Sequence, residues 1–415
     1  MKRNGKPTVI IVSGARTPIG VKCGTLSGFA PEDLAVQACD EAIRRGGVRR
    51  ELIDTAVGAN VYQFTAPGAQ DIYFPRNVAL RCKLRTDVPA LMVQRICGSG
   101  LQTIVNGFQQ VLLPDAVDDA KVALCFGAEV MSRAPQILRS RRSATNFWEF
   151  SEGGRIEDSM LAGLNHDLAA TTMMRTADEY GSRMGVTRYE CDEFAASSHE
   201  RAREACRRSH VNGGDALRGM FALDATDLYG KHVHLARDEC VRKTDVGALG
   251  KLAALTPNGL VSAGNASEIC DAAAAVVIAD QAIAEKNSWN SDFAVVSYGV
   301  AGVEPRIMGQ GPVPSIRQAL ARAGLDQKEI GLWEINEAFA AQYLGVEKEL
   351  GLDRSRVNVN GGAIAIGHPL ACTGVRMIVD LMYEMKLRGV RFGCASACIG
   401  GGQGVAVIIR NLEAA

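Results

Sequence analysis

No stretch of this chain approaches the roughly 18 consecutive apolar residues that a membrane-crossing helix needs. The longest apolar run, Ala272 to Ala279, has the length of a buried strand. Net charge is missing too: 46 basic residues match 46 acidic ones. That balance removes the electrostatic case for nucleic acid or an anionic membrane as the main partner. Cysteine is plentiful, with 12 residues, but no two form a Cys-x-x-Cys pair, which argues against a zinc ribbon. A signal-peptide core is absent as well. Thr8 to Val12 is short, and Arg16 and Pro18 follow it closely. The chain ends in neither Ser-Lys-Leu nor a prenylation box. The expectation is a cytoplasmic protein with reduced thiols, most of them small buried apolar residues.

What is present is alternation. A length of 415 residues suits two or three domains, and strand-like and helix-like stretches alternate as in layered α/β proteins. Thr8–Ser13 reads as a strand and Pro31–Arg45 as a helix. Ala90–Ile96 reads as a strand running straight into Cys97-Gly98-Ser99-Gly100, after which Leu101, Ile104, Val105 and Phe108 repeat at helical spacing. From about Met131 to Ala263 charge rises and apolar runs shorten. This stretch is not rich in Gly, Ser or Pro, so it reads as a helical insertion rather than a linker. The remainder repeats itself approximately. Phe293–Tyr298 restarts the order begun at Thr8, the helix after Gly367-His368-Pro369 matches the helix after Cys97, and Gly400–Gly404 precedes a strand as Gly264–Ser267 does. Two similar halves would face each other.

Four residues in Gly-rich turns could carry chemistry. Cys97 lies at the start of a helix, where peptide N–H groups lower a thiol's pKa, and Gly98 and Gly100 would let a ligand come close. The alternative is a structural thiol in a tight turn. His368 stands in a turn before a helix and can act as a base toward a thiol. Asn336 follows the strand-like Leu332–Ile335; it could hold a water or a substrate oxygen, or simply cap the next helix. Cys398 precedes Ile399-Gly400-Gly401-Gly402, whose backbone N–H groups could receive an oxyanion. No Lys-Ser/Thr follows, so this is not a Walker A loop. The other five histidines, His166, His199, His210, His232 and His234, fall in the insertion. The His232–His234 spacing could suit a metal, but an exposed strand edge is the simpler reading. Strand ends are where open α/β sheets place their ligands.

Together these segments resemble the thiolase family over nearly the whole chain. The matching motifs are Ser13–Gly20, Arg95–Gln102, Gly264–Ser267, Met308–Pro314, Asn336–Ala340, Gly367–Pro369 and Cys398–Gly404, in the family's order. The resemblance implies an α/β, thiolase-like duplicated αβαβα five-layered fold with a helical loop-domain insertion. The N-terminal half would comprise 1–133 and 263–288, the loop domain shaping a coenzyme A tunnel 134–262, and the C-terminal half 289–415. The implied activity is acyl-CoA C-acetyltransfer: condensation of two acetyl-CoA, or thiolysis of 3-ketoacyl-CoA, with a medium- or long-chain β-oxidation enzyme as the alternative. By the same resemblance Cys97 takes the acyl group and His368 deprotonates it. Asn336 fixes a water, Cys398 moves the α-carbon proton, and the N–H groups of Cys97 and Gly400 form an oxyanion hole. Ser267 and Ala263 would lie along coenzyme A. No metal or redox cofactor is implied, coenzyme A being substrate and product. The implied assembly is a homodimer or homotetramer, with a hydratase/dehydrogenase partner also to be considered. A decarboxylating ketosynthase would offer a second histidine where Asn336 stands, and a non-catalytic acyl-CoA-binding relative would have lost Cys97 or the glycine run.

Four departures from the family pattern bear on this reading. Gln94 replaces Asn. Glu268-Ile269-Cys270-Asp271-Ala272-Ala273 replaces Gly-Ile-Asn-Asp-Gly-Ala, bringing negative charge toward the expected path of coenzyme A. Leu370–Gly374 carries Thr373 where Ser is usual. Thr172 and Met174 stand where acetoacetyl members carry His and Gly, which points to a broader or longer acyl range.

Overall fold

The structure is a computed structural model. It describes residues 8–65, 71–113, 120–138, 140–142, 148–150, 156–165, 171–211 and 219–414, with only the backbone at 140–142, 148–150 and 209–211. The elements that position the site are, in chain order, β1 (Val9–Arg16), β2 (Gly20–Val21), α1 (Pro31–Gly46), β3 (Thr55–Ala59), β4 (Ala90–Met92), α2 (Ser99–Leu112), β5 (Val122–Val130), α3 (Met173–Arg183) and α4 (Arg188–Val211). Then come β6 (Cys270–Asp280), β7 (Phe293–Gly302), α5 (Pro312–Ala323), β8 (Leu332–Ile335), α6 (Ala340–Leu350), α7 (Leu370–Arg388), β9 (Phe392–Ile399) and β10 (Gln403–Asn411).

The strands run in the order β8-β9-β10-β7-β1-β6-β5-β3-β4, with β2 on β6. The two halves of this path mirror each other. β1 pairs antiparallel with β6, and β7 with β10; each pairing slips register at the same place, between Ile11 and Ser13 and between Val295 and Ser297. Beside each slip a serine hydroxyl donates to the carbonyl of a covering helix, Ser13 to Ala42 of α1 at 2.6 Å and Ser297 to Ala319 of α5 at 2.7 Å. Further out, β5 lies parallel to β3 and β9 parallel to β8. The halves join where β1 and β7 pair over Val9–Ile11.

Strand periodicity sends alternate side chains to opposite faces, and here both faces are buried. Val9 and Ile11 point to a central core with Val276, Ile278, Val405 and Val407, filled by Leu101 and Ile104 of α2 and Val375 and Ile378 of α7. Ile10 and Val12 face the other way, onto Leu34 and Ala38 of α1. In the second half Ala406 and Ile408 face Val313 and Ile316 of α5. Helices outside, a sheet, helices between, a sheet and helices outside make the five layers. Burial on both faces explains why Ala272–Ala279 is uniformly apolar. The starts of α2 and α7 touch backbone to backbone. A Cβ on Gly374 would stand 2.2 Å from the Leu101 nitrogen, and one on Gly100 2.6 Å from the Ala371 oxygen.

The duplication breaks at one connection. The turn Gly400–Gly402 joins β9 to β10, whereas residues 131–269 join β5 to β6. This insertion holds α3, α4 and a hairpin of Leu223–Thr226 with His232–Leu235. His232 and His234 are exposed on that hairpin, bonded to Thr226 at 2.7 Å and Asp224 at 2.8 Å. His166 and the side chain of His210 lie outside the described residues. The strand expected over Ala90–Ile96 stops at Met92, because the chain must turn sharply before Cys97.

Candidate active site

Cys97 sits in a single 3₁₀ turn, Ile96–Gly98, that opens into α2. Ile96 precedes it at φ +45°, a left-handed conformation that costs a β-branched residue on the order of 1–3 kcal/mol. The strain is held by Ser99, whose hydroxyl receives the Arg95 N–H and donates to the Ile96 carbonyl, both at 2.7 Å. The helix start is where the sequence puts it, but the expected acid shift is absent. Burial pushes the thiol up to about 11, against the pull of the Gly400 and Cys97 amides, and the Glu129 charge adds to the rise. Gly98 and Gly100 also do something other than admit a ligand. A Cβ on Gly98 would meet Ile399 at 2.5 Å, so both glycines let β9 and α7 close on the nucleophile turn.

His368 is buried, and both its ring nitrogens are occupied. The Asn336 amide donates to Nε2 at 3.2 Å. Nδ1 then carries the hydrogen and meets the Thr373 hydroxyl at 2.7 Å, which passes its own hydrogen to the Pro369 carbonyl at 3.1 Å. This pattern holds a neutral imidazole with its lone pair at Nε2. Burial, then the nearby Arg376 cation, lowers its pKa to about 3. Thr373, which stands where Ser is usual, thus uses the hydroxyl that the two residue types share. Gly367 makes the turn at φ +103°, and a Cβ there would strike Cys270 Sγ at 2.6 Å. Asn336 is not a helix cap, since α6 starts at Ala340 with Phe339 before it. Its side chain is 1% exposed, and its Oδ1 is a buried acceptor without a protein partner.

Cys398 is the last residue but one of β9, fully buried, and its pKa is raised by burial and by the neighbouring Cys97. Gly400 presents its N–H to the Cys97 sulfur, so the structure brings Cys97, Cys398 and Gly400 together and pairs His368 with Asn336. The walls are apolar and rich in thioethers: Met131, Met160 and Leu370 cluster with Cys97, and Met173 and Met308 with Cys398. Thr172 is the N-cap of α3, receiving the Arg175 N–H at 3.1 Å. Ser267 is half-buried and bonds by its N–H to the Ala338 carbonyl at 3.0 Å, which sets the Gly264–Ser267 segment beside Asn336. Ala263 is exposed. The Glu268 carboxylate is neutralised by Arg242 at 2.7 Å, and its carbonyl holds the His368 N–H at 3.2 Å.

Sequence reasoning passed over the buried acids. Glu337 receives Ser198 at 2.7 Å, Asn358 at 2.8 Å and the Ile364 amide at 3.2 Å, tying the turn before His368 to α4. Arg376 of α7 pairs with Glu334 and Asp380, and Arg16 with Asp380 and Asp238. This buried network joins both halves and the insertion. The available signal was an acidic residue inside an apolar strand, Glu129 in β5 and Glu334 in β8, because a charge is rarely buried without partners.

With this geometry in place, family models agree with it along the chain. Residues 9–282 match the thiolase N-terminal domain and residues 291–411 the thiolase C-terminal domain. The chain is 39% identical over 404 residues to the human mitochondrial 3-ketoacyl-CoA thiolase, covering 97% of this chain and 98% of the relative. It is 36% identical over 407 residues to the acetyl-CoA acetyltransferase of Cupriavidus necator, covering 97% and 99%. The crystal structure of the human enzyme in complex with CoA superposes with a TM-score of 0.89 at 39% identity, covering 98% of each chain.

Proposed function

The chain belongs to the thiolase family of acyltransferases, and from that premise we propose that it cleaves 3-ketoacyl-CoA esters longer than acetoacetyl-CoA, passing the acyl group through Cys97 to coenzyme A. The observation that carries the chain-length reading is the methionine wall. Met131 and Met160 near Cys97, and Met173 and Met308 near Cys398, are unbranched and polarizable, and such side chains adapt to apolar groups of varied shape. Thr172 caps α3 with its hydroxyl and puts a shorter group where a histidine would stand.

The chemistry follows from the protonation states. Cys97 and Cys398 rest as thiols and His368 as a neutral base. Cys97 gives its proton to His368 Nε2 while its sulfur bonds to C3 of the 3-ketoacyl thioester. The C2–C3 bond then breaks and its electron pair goes to C2, which takes the Cys398 proton, so acetyl-CoA leaves. Coenzyme A next attacks the acyl-cysteine, its thiol proton going to Cys398, and the Cys97 sulfur leaves and recovers its proton from His368. The Cys97 and Gly400 amides suit one transient oxyanion. Asn336, with His368, suits another through a bound water. Each proton and charge is served by a side chain or amide of this chain, with coenzyme A as co-substrate and no metal or redox group required. Run backwards, the same steps condense two acetyl-CoA.

The reading extends to assembly and placement. Among the described residues no strand pairs with the outer edge of β4, and Leu91 on it, with Phe64 and Tyr73 on neighbouring segments, is exposed. Such edges are normally covered, and a second copy of the chain fits that need. The insertion, which carries Ser267 and Ala263 at its end, would flank coenzyme A. Cytoplasmic residence belongs to the same proposal.

The test is thiolysis of acetoacetyl-CoA and of a medium-chain 3-ketoacyl-CoA, with Cys97→Ala as the blank. A higher kcat/KM on the longer ester is expected. Cleavage of acetoacetyl-CoA alone would overturn the chain-length reading, and wild type equal to Cys97→Ala on both would overturn the proposed role of Cys97.

A further inference from the structure

The last residue but one of β5 carries a carboxylate that the reaction above does not use. Glu129 is 0% exposed. It accepts the Tyr62 amide at 2.8 Å, the Val61 amide at 3.2 Å, the Asn60 side-chain amide at 3.2 Å and the Ala371 amide at 3.1 Å. The first three donors belong to the segment leaving β3. The fourth belongs to the first turn of α7, just after His368-Pro369-Leu370. Val61 and Tyr62 pack in the apolar cluster that holds Cys97. One acceptor group thus spans two separate pieces of the reaction centre, one from each half of the chain.

We propose that Glu129 is a positioning residue for acyl transfer, its carboxylate fixing the Val61–Tyr62 wall of the Cys97 pocket against the helix start that carries His368. The inference rests on the thiolase reading only in taking Cys97 and His368 as the reacting groups. Four N–H donors converge on the group, so it must accept at both oxygens. A carboxylate does this, whereas a primary amide would turn its own N–H toward one of the donors. The position is also electrostatic. The charge opposes formation of the Cys97 thiolate, which keeps the nucleophile a thiol until His368 takes its proton. Around Glu129 the titratable neighbours are Asp271, Tyr62, Cys97 and Cys372. Cys398 also faces Cys97.

The two roles separate in two variants. Glu129→Gln removes the charge and misdirects one donor. Glu129→Asp keeps the charge on a stem too short to reach both segments. The readouts are thiolysis kinetics and the pH midpoint of Cys97 alkylation by iodoacetamide, followed as intact mass. Glu129→Gln should move the alkylation midpoint to lower pH and lower kcat by about tenfold or more, since small misplacements of reacting groups are costly, with little change in KM for coenzyme A. Glu129→Asp should lower kcat but keep the wild-type midpoint. An unshifted midpoint in Glu129→Gln, or wild-type kcat in both variants, would overturn the proposal. If the glutamine variant does not fold, the aspartate variant decides it: wild-type kcat, or a midpoint shifted downward, counts against. Should wild-type protein fail to cleave any 3-ketoacyl-CoA, the thiolase reading fails by itself, while the alkylation midpoint still tests the role of Glu129 at Cys97.

Discussion

Replacing Thr373 by valine removes one hydroxyl and keeps the shape of the side chain, so its effect can be worked from the structure. The hydroxyl receives the His368 Nδ1 hydrogen at 2.7 Å and donates to the Pro369 carbonyl at 3.1 Å. The carbonyl does not suffer from the change, because the Cys372 and Thr373 amides still bond to it at 2.9 and 3.0 Å. The whole loss falls on Nδ1. A buried N–H left without an acceptor costs about 1–3 kcal/mol. A methyl group cannot sit at 2.7 Å either, since apolar contacts settle near about 3.5 Å or more, so the ring must also shift. An escape that moves the hydrogen to Nε2 sets it against the Asn336 N–H and abolishes the lone pair that takes the Cys97 proton in the proposed reaction. Charged to the barrier, the same energy is a loss of roughly 5- to 150-fold in kcat. The assay is thiolysis under saturating coenzyme A for Thr373→Val and Thr373→Ser, with near-ultraviolet circular dichroism to confirm native packing. Serine should retain activity within about threefold, because it restores the acceptor. A valine variant within twofold of wild type would refute the argument that Thr373 sets the imidazole tautomer.

Two further outcomes follow from burial and packing. The folded pKa of His368, about 3, lies below its ordinary value of 6.5; its neutral form therefore contributes stability above pH 6.5 that is lost as pH falls toward 3, at up to about 1.4 kcal/mol per pH unit. Buried acids with raised values, Glu129 at about 7 and Asp271 at about 6, pull the opposite way. The quantity to measure is thus the difference between wild type and His368→Asn in urea unfolding from pH 7 to 4, and parallel curves would contradict the assignment. Gly374→Ala should destabilise the fold by several kcal/mol, or prevent folding, because its Cβ would stand 2.2 Å from backbone nitrogen Leu101 with no flexible side chain to yield. A thermal midpoint within about 2 °C of wild type would show that α2 and α7 can separate without cost.

The layers were legible because a strand buried on two faces is apolar along its length, and both halves repeat that pattern in the same order. Phe293 restarting the pattern of Thr8 predicts the mirrored sheet, and the matched slips beside Ser13 and Ser297 bear it out. The extent of β4 was not legible. Val93 to Ile96 has strand-like composition, but the chain there must reach the left-handed conformation at Ile96, and nothing in a β-branched residue announces that. The glycines beside Cys97 were only half legible for a related reason. A small residue marks a close approach without saying what approaches, and on the Cβ side of Gly98 and Gly100 it is Ile399 and the Ala371 backbone.

The pKa of Cys97 was misread for a deeper reason. A helix N-terminus favours a thiolate by a field whose strength depends on how much water competes with it, and sequence does not report that dehydration. In this fold α2 and α7 start against each other between two sheets, so the turn that gives Cys97 its amides also leaves it half-buried, and the loss of water outweighs the amides. In the proposed reaction the consequence is a division of labour between the halves. The first supplies the nucleophile from the start of α2 and the acceptor Glu129 from the end of β5. The second supplies the base from the start of α7 and Cys398 from the end of β9. Neither half holds a complete proton path. A motif scan therefore finds the proposed reacting residues far apart in the chain, while the acids that tie their turns together escape it: Glu129 lies between motifs and Glu337 is hidden inside one, each visible only as a charge in a segment too apolar to leave it unpartnered.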